Sequence, residues 1–589
     1  MVHLSENSQR LSIRRFVVRH REDLLTFTEG FGGVCLVKLP SCPPGGHGHR
    51  LRGIGEILSK VTVGLGPQAV MVTVGEPVDL VAVHAAVARC LQYQHWMAVK
   101  RTVPRADGLR SLPTHHFGAL VHTAYDSPLR HARTRIRYTY CPACGRTTKD
   151  YGGKKHLYHK YGTLMSDVWR DIACDPDGDL TPVVERFADL FGIEPYRELR
   201  VLDLRLPEPE RTPIGPSGGA ADGRPAPSMP TNVLIRGDCL EELRKIPDDS
   251  VDFAFADPPY NLRKRYTGYG DSLEIDEYLT WCDRWLTELA RVLRPGRTCA
   301  VLNIPLWAIR HFLHLETVLH FQNWIVWDAL AFPVRLIMPA HYTILCFSKG
   351  PPRELPGLSG GGGRTEAAGV PPTFRALEPL AEGFCLRTRC VKARREAQTN
   401  DRGPLTDLWW DIHRLKHNSR RADHPCQLPP HLMYRLISVF TKPGEVVLDC
   451  FNGVGTTTLA AQMLGRRYVG IEISEKYHRL AEARHEELGR GANPFRKTKR
   501  IPADKNSPVP RMPRRRYEVP KKTLQLEVKR IAERLGRLPT REEVARYGRY
   551  PIRLYDEYFV SWGEACAAAR TTGMSEFWEE LPGETEPPT

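Results

Sequence analysis

The chain has 589 residues, with 84 Lys and Arg against 68 Asp and Glu, a formal charge of +16. That length holds about three or four domains, and the excess of positive charge favours a polyanionic partner, most simply nucleic acid. No apolar run reaches the roughly 18 residues of a spanning helix, no secretory signal opens the chain, and the 15 cysteines follow no disulfide-framework spacing, so the expectation is a soluble protein of the cytoplasm with reduced thiols.

In chain order, residues 1–206 make a first block. It contains Cys141-Pro-Ala-Cys144 followed by His156-Leu-Tyr-His159, in the order C-x2-C-x11-H-x2-H. Two Cys and two His can close a tetrahedral site for one structural zinc, which would make 141–159 a knuckle. Two free thiols in a tight turn beside surface histidines would give the same pattern. Residues 207–230 are rich in Pro, Gly, Ala and Ser and read as a flexible linker.

The second block, 231–489, alternates short apolar runs with helical periodicity. Strands are predicted over 232–238, 251–256, 298–304, 323–328, 341–348, 446–449 and 467–473. Helices are predicted over 240–246, 275–293, 428–440, 456–464 and 475–488. Such alternation is that of a doubly wound α/β sheet. A Gly-rich insert lies at 351–372, and a Pro-rich, basic linker at 490–522. The last block, 523–579, reads as a small helical domain, with Thr540 as the N-cap of a helix over 541–547.

Two motifs in the second block carry chemistry. Asp257-Pro258-Pro259-Tyr260 follows the apolar run 251–256, so it stands at the carboxyl end of a buried strand, where open α/β sheets place ligands. Val446-Val-Leu-Asp449 runs into Cys-Phe451-Asn-Gly453-Val-Gly455 and then a helix. A strand, a glycine turn and a helix N-terminus let the backbone approach a ligand closely. A carboxylate at the end of the next strand, Glu472, fits a pair of ribose hydroxyls.

DPPY first and FxGxG second is the order of the circularly permuted β group of N6-adenine and N4-cytosine DNA methyltransferases, and this chain resembles that group. The resemblance implies a Rossmann-like fold that uses S-adenosylmethionine. It implies catalytic roles for Asp257, Pro258, Pro259 and Tyr260, with the Asp carboxylate and the following carbonyl accepting from the target amine and the Tyr ring stacking on a flipped base. It implies cofactor contacts from Asp238, Asp449, Phe451, Gly453, Gly455 and Glu472. His424-Pro-Cys-Gln427-Leu428-Pro429 resembles a further family element, with Leu428 in place of the usual Lys. The target-recognition segment would lie at about 333–421, where Arg387, Arg389, Lys392, Arg394, Arg395, Arg414, Lys416, Arg420 and Arg421 are available for phosphates. DPPY points to adenine N6. Cytosine N4 and a catalytically silent, cofactor-sensing DNA-binding protein stay open as alternatives.

The first block resembles the second. Gln94-His95-Trp96 matches Gln322-Asn323-Trp324, the Asp167-x-Trp-x-Asp171-Ile segment matches Asp407-x-Trp-x-Asp411-Ile, and Arg200-Val-Leu-Asp203 matches 446–449. The order is kept throughout, as in a duplication. Where the second block has DPPY, the first has Leu39-Pro40-Ser41-Cys42, and Asp203 is followed by no glycine turn. The expectation is a degenerate methyltransferase-like domain that pairs with the active one inside a single chain. The segment from about 523 to 571 resembles the helical repeat associated with homing endonucleases, a DNA-binding-like module. A restriction or defence-system partner fits the whole.

Overall fold

Val251–Ala256 is buried at every position in the computed structural model of the chain. A strand hidden on both faces belongs in the middle of a sheet covered by helices, and its unbroken apolar run reflects that. The structure describes residues 11–20, 23–42, 49–147, 162–205, 210–216, 227–262, 272–329, 337–360, 374–415, 427–495, 519, 521–556, 558–559, 561–563 and 565–566. His156, His159, His424, Lys416, Arg420 and Arg421 lie outside the described residues, as do most of the basic linker and of the Gly-rich insert. The chain divides into two compact units, Met1–Thr498 and Lys499–Thr589.

The first unit holds two large sheets. The sheet of the second block has eight strands in the order Val233–Arg236, Arg467–Glu472, Val446–Asp449, Val251–Ala256, Leu293–Asn303, His341–Ser348, His320–Asp328 and Leu408–Trp409. His341–Ser348 runs antiparallel to both its neighbours, and the other pairings are parallel. This is the predicted Rossmann-like α/β sheet with one reversed strand. A helix that the sequence reading left out, Pro305–Leu315, covers one face. It begins with Pro at its first position, where the ring costs no hydrogen bond.

The sheet of the first block has seven strands in the order Ser12–Val18, Glu198–Leu204, Val34–Lys38, Val70–Gly75, Thr114–Ala124, Leu91–Arg105 and Val168–Ala173. From Glu198–Leu204 onward, each pairing has the same sense as its counterpart in the eight-stranded sheet. The two Asp-x-Trp-x-Asp segments are also built alike. Trp169 Nε1 donates to the Ser166 carbonyl and Trp409 Nε1 to that of Thr406. Asp171 takes both arms of Arg186 from the helix Thr181–Phe191, and Asp411 both arms of Arg435 from Pro430–Phe440. Each Arg also lies over the segment's Trp ring, at 5.2 and 5.3 Å.

The sheets differ on the far side of Glu198–Leu204. There Ser12–Val18 pairs directly, whereas the larger sheet has Arg467–Glu472 and then Val233–Arg236. The first block therefore ends its sheet where the second adds a glycine turn, a helix and another strand.

Contacts between the two sheets repeat in reciprocal pairs. Asp167 donates its N–H to the Met338 carbonyl and Asp407 to that of Pro113. Asp167 Oδ1 accepts from Ala340 and His341 N–H, and Asp407 Oδ1 from His115 N–H. At the centre, Trp96 and Trp324 stack with centroids 4.6 Å apart and planes 12° from parallel. The stretch read as a linker is not featureless, because Arg211–Pro213 pairs with His49–Leu51, and Arg211 meets the buried carboxylate of Asp79 at 3.1 Å.

In the second unit, the helices Lys521–Leu535, Arg541–Tyr547 and Arg553–Asp556 close over Leu524, Val528, Ile531, Val544, Leu554 and Tyr555. Thr540 caps the middle helix with a reciprocal Thr–Glu box, as its sequence predicts. Among the described residues, no helix is long and apolar enough to cross a membrane.

Candidate active site

Four strands of the larger sheet deliver their carboxyl ends to one edge. Register places Asp449 beside Phe255 and Gly470 beside Asp449, while Arg236 stands beside Glu472. Asp257, Asp449, Glu472 and Asp238 therefore come together along the edge that the sequence predicts.

The Asp257 loop is held by aromatic side chains. Tyr260 Oη donates to Asp257 Oδ1 at 2.9 Å. Tyr278 Oη donates to the Pro259 carbonyl at 2.8 Å, and Trp307 Nε1 to that of Tyr260 at 2.9 Å. Two successive carbonyls are thus fixed, and the prolines fix φ at two of the four positions. Asn261 turns the chain with φ 54° and exchanges two hydrogen bonds with the main chain of Leu273, each 2.8 Å. Tyr278 belongs to the helix Ile275–Val292, whose buried stripe includes Cys282 and Trp285. That stripe is legible as helical periodicity, but nothing in the sequence says that its Tyr holds the loop.

The Tyr260 ring lies 6.2 Å from that of Tyr342, and Arg414 lies over the Tyr342 ring at 4.3 Å. A line of side chains therefore runs from the basic segment to the loop. Arg394 does not belong with the phosphate-binding candidates. It is 3% exposed, and its guanidinium is bonded to Asp401, the Cys385 carbonyl and the Cys390 sulfur. Arg389, Lys392 and Arg395 are exposed.

On the other side of the edge, Gly453 and Gly455 have φ of 52° and 80°, a region that favours glycine. A Cβ on Gly455 would come within 3.1 Å of Ala481 Cβ. Glu472 Oε2 accepts from Gly453 N–H and Oε1 from Ser474 N–H, each at 2.8 Å. A carboxylate has about four acceptor sites, so these bonds leave capacity for a diol. Burial raises the Glu472 carboxyl above its ordinary range. Asp449 is 3% exposed, accepts from Phe451 N–H at 2.9 Å, and is pushed up to about 7 by burial. Phe451 packs edge-on against Trp281 and Trp285. Asp238 caps the helix Cys239–Leu243 by accepting from Leu240 N–H, and Gly237 N–H donates to the Glu472 carbonyl. Glu472 thus bonds both to the glycine turn and, through its carbonyl, to the Gly237 that precedes Asp238.

Among the described residues, the first block shows no such constellation. Its counterpart loop begins with Leu39, which is 1% exposed, and Asp203 is paired with Lys38 and Arg205. Of the four residues expected to hold zinc, His156 and His159 lie outside the described residues. Cys141 and Cys144 converge with Cys385 and Cys390, all four sulfurs lying within 4.8 Å of one another.

Residues 251–483 match the DNA methylase family of N6 and N4 enzymes, and 519–569 match the homing endonuclease associated repeat. The resemblances read from the sequence are borne out over those spans. The type II methyltransferase M.BamHI of Bacillus amyloliquefaciens is 35% identical over 246 residues, which are 41% of this chain and 54% of the relative. M.HpaI of Haemophilus parainfluenzae is 28% identical over 283 residues, 47% of this chain and 81% of the relative. The chain thus spans about half the length of the first of these curated relatives. A solved PvuII DNA methyltransferase, cytosine-N4-specific, aligns with 42% of this chain and 84% of its own at 18% identity and a TM-score of 0.31.

Proposed function

We propose that this chain, whose residues 251–483 match the DNA methylase family, transfers a methyl group from S-adenosylmethionine to the exocyclic amine of a flipped base in double-stranded DNA, at adenine N6. The observation that carries the reading is one sheet edge holding both the pinned Asp257 loop and the Gly453–Glu472 cradle. When bound, the cofactor supplies an electrophilic methyl group.

An aromatic amine is a weak nucleophile because its lone pair is delocalised into the ring. The Asp257 carboxylate and the Pro258 carbonyl accept from its two hydrogens and keep the lone pair aimed at the methyl group. The Tyr260 hydroxyl orients the carboxylate, and Tyr278 and Trp307 hold the loop rigid, so catalysis rests on positioning and electrostatics. No covalent enzyme intermediate is required. A base within a duplex cannot reach this edge, so it leaves the stack, and the Tyr260 ring offers it a face. Glu472 would hold the ribose hydroxyls, Asp238 the adenine side, and Gly453 and Gly455 the methionine end.

The division of labour belongs to the same proposal. Residues 1–206 form a degenerate methyltransferase-like domain, joined by 207–230 to the catalytic domain 231–489, with target recognition at about 333–421. The basic linker 490–522 leads to the DNA-binding-like repeat at 523–579. The matching strand order and the reciprocal contacts around Trp96 and Trp324 support an inert half paired with an active one. A restriction or defence partner and a place on the nucleoid follow from the same reading.

Expression in a host free of DNA methylation, followed by modification-sensitive sequencing of its genome, tests this. N6-methyladenine within one short sequence is the expected result. N4-methylcytosine would move the reaction to the rival base, and unmodified DNA from a chain that binds S-adenosylmethionine would favour the silent sensor.

A further inference from the structure

We propose that Cys141, Cys144, Cys385 and Cys390 bind one structural zinc ion that ties the first block to the basic segment of the second. The ligand set differs from the Cys2His2 set that local spacing suggests, because half of it lies about 240 residues further along the chain.

Distances come first. Cys141 Sγ lies 3.8 Å from Cys390 Sγ, and Cys144 Sγ lies 3.8 Å from Cys385 Sγ. A disulfide needs about 2.05 Å, so neither pair is bonded. A tetrahedron with zinc–sulfur bonds of about 2.3 Å has edges of about 3.8 Å, and the four sulfurs all fall within 4.8 Å.

Local structure agrees. Tyr140–Cys141 pairs antiparallel with Arg146–Thr147, and Gly145 turns the hairpin with φ 61°. Cys385 precedes and Cys390 lies on the helix Thr388–Glu396, with Arg394 one turn on, donating from Nη1 to the Cys390 sulfur at 2.9 Å. A neutral thiol gains little from an arginine, whereas a thiolate on a cation is stabilised by such a second contact. Four thiolates make the zinc site net negative, which the Arg394 guanidinium offsets in part. Cys141, Cys385 and Cys390 are at most 5% exposed, and a four-sulfur closed shell is that of a structural ion.

Placement gives the ion its role. The hairpin belongs to the first block and the helix to the segment that carries Arg389, Lys392 and Arg395. Beside the cluster, Glu382 of that segment pairs with Lys100 and Arg170 of the first block. A bond that joins distant segments restrains the unfolded chain most, and zinc binding adds its own free energy to the folded state. The inert half would thereby hold the basic helix in place.

Elemental analysis of the full-length chain, purified without chelator, should find one zinc per chain. Cys385→Ser with Cys390→Ser should lose it, and His156→Ala with His159→Ala should keep it. X-ray absorption at the zinc edge of the unaltered chain should show four sulfur neighbours and no nitrogen, which decides the ligand set even where a serine variant fails to fold. Absence of zinc from the purified chain, with no uptake after reduction and addition of zinc, would overturn the proposal. So would nitrogen in the coordination shell, or zinc lost from the histidine variant and kept in the serine one.

Discussion

Glu472 holds two main-chain donors with one carboxylate. It closes the glycine turn by accepting from Gly453 N–H on one oxygen and ties its own strand end through Ser474 N–H on the other. Glu472→Gln would face one of those N–H groups with another donor. The loss of a charged, part-buried acceptor costs about 1.5–3 kcal/mol, so S-adenosylmethionine should bind roughly 10–100-fold more weakly, as measured by titration calorimetry. Asp167 makes a second residue-level prediction. Burial pushes its carboxyl from an ordinary 3.8 up to about 7, opposed by the Ala340 and His341 N–H groups and reinforced by Asp328. The folded chain then keeps a proton that the unfolded chain has released. Its contribution is full below about pH 4 and is lost as pH rises through about 7. Asp167→Asn keeps the Oδ1 acceptor that both N–H groups use, so thermal unfolding of the variant should fall less between pH 4 and 7 than that of the unaltered chain. The difference should be on the order of 4 kcal/mol at the upper end. An equal slope in both would show that Asp167 does not carry it. Asp257, Glu472 and the two glycines were legible because each motif joins a residue type to a strand end. Tyr278, Trp307 and Tyr342 were not, because a core aromatic and one that packs at the Asp257 loop share the same periodicity.

Strands and helices of the second block fell where the hydrophobic pattern put them, to within a residue or two for 251–256, 341–348 and 446–449. The helix Pro305–Leu315 was missed because its Trp, His and Phe residues blur the apolar face. The reversal of His341–Ser348 was missed because an apolar run carries no direction. Conversely, Trp96 and Trp324 were matched as sequence, while their contact came only with the fold. They stack where the strands Leu91–Arg105 and His320–Asp328 approach, at 1% and 2% exposure. Trp96→Ala removes the stack and leaves a cavity, at a cost of about 3–5 kcal/mol. Unfolding in denaturant should therefore shift for both blocks of the first unit and leave the helical second unit unchanged. A shift confined to the first block would separate the two sheets energetically. The Cys cluster marks the same limit of sequence reading: Cys141 and Cys144 are a local pair, but no spacing rule connects them to Cys385 and Cys390.

On the scale of the whole molecule, a sheet that lacks the glycine turn, its helix and the next strand lies against one that has them. The first block meets the second around Trp96 and Trp324, and among the described residues it shows no counterpart of the bond between Gly453 and Glu472. Deleting residues 1–206 should uncover Trp324 and its surroundings, so the remainder should self-associate in sedimentation and bind its DNA target more weakly. A monomer with full stability and target affinity would remove any role for the first block in either. The account stands above all on Asp257, and methyl transfer from labelled S-adenosylmethionine to unmethylated DNA by Asp257→Ala, beside the unaltered chain, tests it most directly. Transfer should disappear in the variant while its affinity for the cofactor is kept; methylation that survives without the Asp257 carboxylate would contradict the mechanism.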